Sequence, residues 1–173
     1  MTPAAYLARW NLVPDGTEIV TPSSALLPVR RRGEPAMLKI ARDAEERRGG
    51  RLMAWWRGDG AARVLRHDEM ALLLERADGP TTLAAMVAEG RDDEASGILC
   101  SVARRLHTAR GDPPPWLEPL ERWFAALAPS AVIHGGILAE AHAVACRLLA
   151  TPREIVVLHG DIHHGNVLDG GAR

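Results

Sequence analysis

Residues 155–173 read IVVLHGDIHHGNVLDGGAR. The first four are apolar, which favours a buried strand, and the chain then passes directly into a polar loop, HGDIHHGN, at 159–166. Within that loop Asp161 follows His159 by two positions and precedes Asn166 by five. Side chains this close together after one strand can point at the same reacting group. This loop decides which fold the rest of the chain has to fit.

The spacing His-x-Asp-x-x-x-x-Asn is that of the catalytic loop in protein-kinase-like phosphotransferases. In such a loop the aspartate accepts or orients the proton of the attacking hydroxyl, and the asparagine carbonyl oxygen ligates a magnesium ion that bridges the phosphates. The pattern therefore predicts phosphoryl transfer from ATP, with Asp161 as the catalytic base and Asn166 as the Mg²⁺ ligand.

The only lysine of the chain, Lys39, lies in the third predicted strand, AMLKI at 36–40. Kinase-like enzymes place a lysine on the third strand of an N-terminal sheet, where it contacts the α- and β-phosphates and pairs with a glutamate of the next helix. Glu45 and Glu46 begin the following helix, and either could be that partner. Glu46 is favoured because it shares a helix face with Gly50. Lys39 and Glu46 are therefore predicted to bind the nucleotide.

The remaining pattern fits an α+β chain with a protein-kinase-like two-lobe fold. Residues 1–76 are predicted to form a nucleotide-binding lobe, and the Asp-Gly-Pro sequence predicts a linker at 77–80. Residues 81–173 are predicted to form a mainly helical C-terminal lobe. The predicted strands are 18–21, 25–29, 36–40, 61–67, 70–75 and 154–158, and the predicted helices are 43–56, 81–89, 94–109, 117–127 and 136–150.

The composition is that of an ordinary globular protein, with a formal net charge of −1 from 21 basic and 22 acidic side chains. Nucleic-acid-binding proteins usually have a basic excess, so no nucleic-acid partner is expected, and the arginines at 30–32 are interpreted as a solvated turn. Cys100 and Cys146 do not indicate a disulfide framework. Neither a signal peptide nor an apolar run of roughly 18 residues is found. A cytoplasmic protein with no membrane partner is expected.

A metallophosphoesterase is the rival interpretation of the loop, because His163 and His164 are side chains that ligate zinc or manganese. Such a site needs further His, Asp and Asn ligands from later segments, and only seven residues follow Asn166. This alternative is therefore the weaker one.

The run VLHGDIHHGNVL at 157–168 resembles the aminoglycoside phosphotransferases and their kinase-like relatives, which have glycine where protein kinases have arginine. The runs RVLRHDEMALLLE, LLLERADGPTTLAAMV and VARRLH are similar, within that family, to the streptomycin 6-phosphotransferases. The resemblance covers residues 1–169. It implies ATP- and Mg²⁺-dependent phosphorylation of a streptomycin hydroxyl, which inactivates the antibiotic and confers resistance.

The resemblance also implies roles for further residues. His159 would brace the catalytic loop. A turn that covers the phosphates would fall at Ser23 and Ser24, without the glycines of protein kinases. The adenine would bind main-chain groups of the linker. The implied nucleotide contacts are Ser23, Ser24, Glu75, Arg76 and Ala77.

The kinase-like mechanism uses a second metal-binding carboxylate on a strand that returns after the catalytic loop. Strand, turn and returning strand take about a dozen residues, and Asp169 could replace that carboxylate only in a drastically shortened hairpin. We therefore expect that the C-terminal lobe is incomplete through truncation and that the 173-residue chain is nearly or wholly inactive.

Two further alternatives remain open. The chain could be a non-catalytic ATP-binding remnant, or it could phosphorylate another small alcohol of the fructosamine, choline or homoserine type, because kinases of these alcohols share the loop. A polycationic substrate such as streptomycin calls for carboxylates, and the candidates are Asp92, Asp93, Glu94, Asp112 and Glu118.

Overall fold

The computed structural model describes residues 2–108 and 112–171 and shows an α+β chain. The strands are β1 (Val13–Pro14), β2 (Ile19–Val20), β3 (Ser24–Arg31), β4 (Glu34–Ala41), β5 (Val64–His67) and β6 (Ala71–Glu75). The helices are α1 (Pro3–Trp10), α2 (Ala44–Trp56), α3 (Leu83–Ala88), α4 (Asp92–Leu106), α5 (Leu120–Trp123), α6 (Leu127–His134) and α7 (Gly136–Ala150). None of the helices in the described residues has the length and apolar character that a membrane span requires.

The strands of residues 2–108 form one antiparallel sheet in the order β1-β3-β4-β6-β5, and β2 also pairs with β3. Strand β4 is central, and its Lys39 has Leu26 of β3 and Leu72 of β6 as cross-strand neighbours. Directly opposed residues of antiparallel strands point to the same face of a sheet. Lys39 therefore lies on one face among apolar neighbours, while Leu38 and Ile40 point to the other face.

That other face carries the main core, in which α1 packs against the sheet. Tyr6 and Trp10, one turn apart on α1, are 0% and 3% exposed. The Tyr6 hydroxyl donates a hydrogen bond to Oδ1 of Asp68 over 2.9 Å. Burial and this bond to a carboxylate raise the pKa of Tyr6 to about 12. The sheet residues of this core are Leu27, Val29, Ala36, Leu38, Ile40, Ala71 and Leu73.

The structure confirms the predicted strands at 25–29, 36–40 and 70–75 and the helix at 43–56, but it corrects the prediction at the N-terminus. Helix α1 was not predicted. Pro3 stands in its first turn, and Asn11, in the left-handed conformation, ends it. Proline at a helix start and asparagine at its end are helix-boundary signals, and the spacing of Tyr6 and Trp10 gives the buried face.

Two further corrections fall after residue 108. The predicted strand 154–158 is wrong, because this segment pairs with no other strand in the described residues, and apolar sequence without a ladder does not make a strand. The predicted helix 117–127 is interrupted after Trp123, and α6 begins at Leu127 so that Pro129 lies in its first turn. The predicted helix 94–109 is observed as α4, and residue 109 lies outside the described residues.

The chain divides into two compact units, 1–108 with 158–173 and 109–157. In the second unit, α6 and α7 pack against each other. The apolar residues of α7 are not all covered: Ile137 and Leu148 are 80% and 68% exposed. Periodicity finds the apolar side of a helix, but it does not show whether a neighbour covers it.

The β3–β4 hairpin turns at Arg32 and Gly33, whose φ angles are +54° and +88°. Two positive φ angles define a type I′ turn, and a residue with a Cβ in this conformation is strained by roughly 1 kcal/mol. A Cβ on Gly33 would meet no atom within 4 Å. We therefore expect Gly33→Ala to lower the free energy of unfolding by about 1 kcal/mol, through the backbone alone, in urea denaturation.

Gly49→Ala is the matched control. Gly49 lies inside α2, and a Cβ there also meets no atom within 4 Å. Because its backbone is helical, the substitution should raise the free energy of unfolding by up to about 1 kcal/mol. Changes of the same sign at both glycines would contradict the assignment of the turn.

Candidate functional site

Lys39 and Glu46 form an ion pair on the face of the sheet opposite α1. Nζ of Lys39 and Oε1 of Glu46 are 2.5 Å apart, and the two side chains are 29% and 18% exposed. Partial burial reduces the solvent screening that makes most exposed ion pairs weak. The structure thus brings these two predicted residues together, and the partner of Lys39 is Glu46 rather than Glu45.

Helix α2 positions Glu46 through its first turn and its packing. Oδ1 of Asp43 caps the helix by accepting the main-chain N–H of Glu46 over 2.8 Å. One turn further on, Gly50 is buried, and a Cβ there would lie 3.3 Å from Cδ1 of Leu72. Leu72 is itself opposite Lys39. The missing side chain of Gly50 therefore lets α2 approach the strand beside Lys39.

The two predicted serines have different surroundings. The hydroxyl of Ser23 donates to Oε2 of Glu46 over 2.9 Å, so Ser23 joins the ion pair. Ser24 is 2% exposed, and its hydroxyl lies 3.0 Å from Oγ1 of Thr21. Thr21 also accepts the N–H of Ser24, so the Ser24 side chain is used to close a turn.

The loop 159–166 is held by its own hydrogen bonds. Oδ1 of Asn166 accepts the main-chain N–H of His163 over 3.0 Å, and Nδ2 of Asn166 donates to the carbonyl of Asp161. Both ends of the amide are therefore fixed by the loop. A carbonyl oxygen has two lone pairs, so Oδ1 keeps one that a cation can use.

Asp161 presents its carboxylate to solvent. The side chain is 81% exposed, and Nε2 of His163 lies 3.7 Å from its Oδ2. The main-chain N–H of Asp161 donates to Nδ1 of His159 over 3.3 Å. A carboxylate in this position is accessible to a substrate hydroxyl, while its backbone is attached to the neighbouring histidine.

His159 is held by an aromatic contact that the sequence interpretation missed. Its ring lies parallel to that of Trp56, with a 10° angle between the planes and 5.9 Å between the centroids. Trp56 ends α2 and is 2% exposed. Burial lowers the pKa of His159; the charge of Asp161 acts against this, and those of His163 and Lys39 add to it.

The lowered pKa of His159 predicts how stability depends on pH. Because the native state binds this proton more weakly than the unfolded state, the contribution of neutral His159 is present above about pH 6.5 and is lost as pH falls toward the lowered value. We expect His159→Gln to reduce the loss of unfolding free energy between about pH 7.5 and about pH 5.5. Urea denaturation at both values measures it.

His134→Gln is the control for this effect, because His134 is exposed in the last turn of α6. It should keep the pH dependence of the unsubstituted chain. If both variants show the same pH dependence, His159 is not the group responsible.

Asp169 is engaged by main-chain groups of the linker region. Its carboxylate accepts the N–H of Gly171 over 2.9 Å and that of Thr81 over 3.4 Å, and its carbonyl accepts the N–H of Gly79 over 3.0 Å. The bonds from Gly171 and then Thr81 lower the pKa of Asp169. These hydrogen bonds of Asp169 attach the segment after the catalytic loop to the linker.

The predicted adenine contacts lie at the end of β6. The carboxylate of Glu75 accepts a main-chain N–H from Arg63 over 2.8 Å. Nη1 of Arg76 lies 2.9 Å from Oδ2 of Asp15. Ala77 takes part in none of the main-chain hydrogen bonds found in the described turns and loops, and the residue is partly buried.

The oxygen donors at the loop fit a magnesium ion that is bound together with phosphates. Mg²⁺ usually takes one or two protein oxygens and completes its shell with water and substrate phosphates, and Asn166 and Asp161 offer such oxygens. Across residues 2–108 and 112–171, no group of three or more His, Cys, Asp and Glu is arranged to hold a metal. Nδ1 of His163 instead accepts the N–H of Gly165 over 3.0 Å. This donor set suits the kinase-like interpretation better than a metallophosphoesterase.

Comparison with known proteins gives the family. A family model described as aminoglycoside/hydroxyurea antibiotic resistance kinase matches residues 9–173. The chain is 52% identical to a streptomycin 3''-kinase of Klebsiella pneumoniae, over 96% of this chain and 62% of that protein. It is 37% identical to a streptomycin 6-kinase of Streptomyces griseus, over 95% and 56%. It is 32% identical to a hydroxyurea phosphotransferase of Kitasatospora aureofaciens, over 96% and 52%.

The chain therefore spans between about half and just under two thirds of the length of these relatives. The family model covers nearly every residue of the chain, including Lys39, Glu46 and the loop 159–166. On this evidence the chain belongs to the aminoglycoside/hydroxyurea antibiotic resistance kinase family.

Proposed function

We propose that the protein is an ATP-dependent phosphotransferase that phosphorylates a hydroxyl group of streptomycin. The observation that carries the proposal is that one compact unit holds both the Lys39–Glu46 ion pair and the loop with Asp161 and Asn166. Phosphoryl transfer needs a cation on the phosphates and a group that positions the attacking hydroxyl, and little covalent chemistry beyond that. Streptomycin kinases among the relatives support the substrate.

In this proposal residues 1–76 are the nucleotide-binding lobe of a kinase-like fold, 77–80 are the linker and 81–173 belong to the second lobe. Nζ of Lys39 binds the α- and β-phosphates, and Glu46 holds the lysine in place. The main chain of Ala77 binds the adenine. Ser23 supports the ion pair through its hydrogen bond to Glu46, whereas the hydroxyl of Ser24 is hydrogen-bonded to that of Thr21.

Asp161 accepts the proton of the substrate hydroxyl while the hydroxyl oxygen attacks the γ-phosphorus. The bond from that phosphorus to the β-phosphate bridging oxygen breaks, and ADP leaves. His159 keeps the backbone of Asp161 in place by accepting its N–H. Asn166 would hold Mg²⁺ together with the phosphates, and the bound ion would supply neutralisation of the charge that develops on them.

The same residues predict a low rate for the 173-residue chain. The carboxylate of Asp169 accepts the main-chain N–H groups of Thr81 and Gly171, so it would have to give up these bonds to act as the second carboxylate of the kinase-like mechanism. We therefore expect slow phosphoryl transfer from ATP by this chain, together with measurable binding of the nucleotide.

The position of the phosphorylated hydroxyl is a finer part of the proposal. The sequence resemblance favours the 6-hydroxyl, whereas the higher identity, 52% against 37%, favours the 3''-hydroxyl. Phosphorus-proton correlation spectra of the product distinguish the two positions directly, because the phosphorus couples to the proton of the carbon that carries it.

The experiment that tests the proposal incubates the chain with ATP, Mg²⁺ and one acceptor at a time. Streptomycin, hydroxyurea, choline and homoserine are compared, and mass spectrometry detects the acceptor that has gained one phosphoryl group. We expect phosphorylated streptomycin, and none with Asp161→Ala. Phosphorylation of another acceptor, with none of streptomycin, would identify that acceptor as the substrate. ATP binding that Lys39→Ala weakens, with no transfer to any acceptor, would favour a nucleotide-binding remnant.

A further inference from the structure

A second cationic site lies at one end of the sheet. A cavity of about 190 Å³ is lined by Arg9, Trp10, Asn11, Arg31, Arg32 and Arg66. Its lining contains four guanidinium groups and no carboxylate. It is smaller than the roughly 300–1,000 Å³ of pockets that hold drug-sized ligands, so its size suits a small anion.

Few of these arginines are neutralised by the protein. Arg9 pairs with Asp68, with Nη1 and Oδ2 2.5 Å apart. Arg31, Arg32 and Arg66 form no ion pair in the part of the chain that the structure describes. Positive side chains gathered around one concavity focus a positive potential into it.

A β-bulge brings Arg66 to the cavity. The register of β5 against β6 shifts between Val64 and Arg66, so that Arg66 is opposite Leu73. Leu73 is a core residue, and Arg66 therefore shares the face of α1, where its Cζ lies 5.3 Å from the ring centroid of Trp10. The bulge thus places a cation beside an aromatic ring at the cavity wall.

The same register separates this cavity from the candidate phosphotransfer site. Lys39 is opposite Leu72, and Arg66 is opposite Leu73. Neighbouring residues of a strand point to opposite faces. The arginine cavity and the Lys39–Glu46 pair therefore lie on different faces of the sheet, so a ligand of one does not contact the other.

We propose that this cavity is a binding site for a small phosphate-type anion, formed by Arg31, Arg32 and Arg66 beside Trp10. Guanidinium groups present paired N–H donors whose spacing matches phosphate oxygens, and a divalent anion would relieve the repulsion among them. Nucleic acid is a poorer fit, because the arginines line a concavity and the chain carries a formal net charge of −1. This site is independent of the proposed phosphotransfer.

Calorimetric titration with inorganic phosphate, at an ionic strength held constant with sodium chloride, tests the proposal. We expect saturable binding at one site, weakened at least tenfold in Arg31→Gln/Arg66→Gln. Arg104→Gln/Arg153→Gln removes the same charge from exposed positions elsewhere and should leave the affinity unchanged. Lys39→Ala should also leave it unchanged, because Lys39 is on the opposite face.

The variant Arg32→Asn tests whether weaker phosphate binding comes from the loss of an arginine or from a loss of folding. Arg32 has a positive φ in the hairpin turn, where asparagine is well tolerated, so the variant should fold at least as stably while it binds phosphate several-fold more weakly. Four results would overturn the proposal. The first is the absence of saturable phosphate binding, and the second is an equal weakening of phosphate binding in the Arg104/Arg153 control. The third is a loss of phosphate binding in Lys39→Ala, and the fourth is a short DNA strand that binds more tightly than phosphate through the same arginines.

Discussion

The substitution Lys39→Ala is expected to weaken ATP binding by about 30-fold or more. Lys39 is half-buried against Glu46, and its ammonium is the group proposed to bind the α- and β-phosphates. Removing one member of a partly buried charge pair costs about 2 kcal/mol or more, which corresponds to roughly 30-fold in a dissociation constant. The substitution also leaves the carboxylate of Glu46 facing the phosphates. Titration calorimetry with ATP and Mg²⁺ measures the change.

Two matched variants separate charge from geometry in this prediction. Lys39→Arg keeps the positive charge but replaces a compact ammonium with a planar fork, so it should recover only part of the affinity. Arg48→Ala removes a cation from the exposed side of α2 and should leave the affinity within about twofold. Equal losses of ATP affinity in Lys39→Ala and Arg48→Ala would show that ATP binding depends on net charge alone. That result would contradict the role given to Lys39.

The substitution Asp161→Asn is expected to reduce phosphoryl transfer by about 10²- to 10⁴-fold while ATP binding is retained. A general base contributes about this much, and an amide cannot accept the hydroxyl proton. Asparagine keeps the main-chain N–H that donates to His159, so the loop should stay intact. Transfer to streptomycin is followed by mass spectrometry under single-turnover conditions, and ATP binding by calorimetry.

Asp169→Asn distinguishes the catalytic carboxylate from the other carboxylate near the loop. Asp169 accepts hydrogen bonds from Gly171 and Thr81, so its substitution should lower the free energy of unfolding and change the transfer rate little. A loss of transfer in Asp169→Asn as large as that in Asp161→Asn would show that Asp169 ligates the metal. Phosphoryl transfer at the unsubstituted rate in Asp161→Asn would show that Asp161 is not the catalytic base.

The sheet was predictable because its sequence carries two consistent signals. The strands β3 and β4 each contain a short apolar run, ALLPV and AMLKI, and the polar stretch with Arg32 and Gly33 forms the turn between them. The register then places Lys39 in the centre of the sheet. The strand predicted at 154–158 failed because its apolar residues resemble a strand, while pairing depends on a partner that local sequence does not reveal.

The candidate site was predictable where short-range chemistry defines it. The loop spacing selects Asp161 and Asn166, and the helix after β4 supplies Glu46. The contact of Trp56 with His159 joins residues more than 100 positions apart, and no local pattern predicts it. The attachment of Asp169 to Thr81 joins residues 88 positions apart. The bulge in β5 likewise turns Arg66 toward Trp10, which lies in another element. Such contacts follow from tertiary packing.

The central claim is that Lys39 and the loop with Asn166 form one binding site for the phosphates of a nucleotide. The chain has one lysine, so labelling with ¹⁵N-lysine gives a single main-chain NMR signal, from Lys39. We predict that ATP with Mg²⁺ shifts this signal in a saturable way and that Asn166→Ala weakens the Mg²⁺-dependent part of the shift. A Lys39 signal that stays unchanged while calorimetry shows ATP binding would contradict the account.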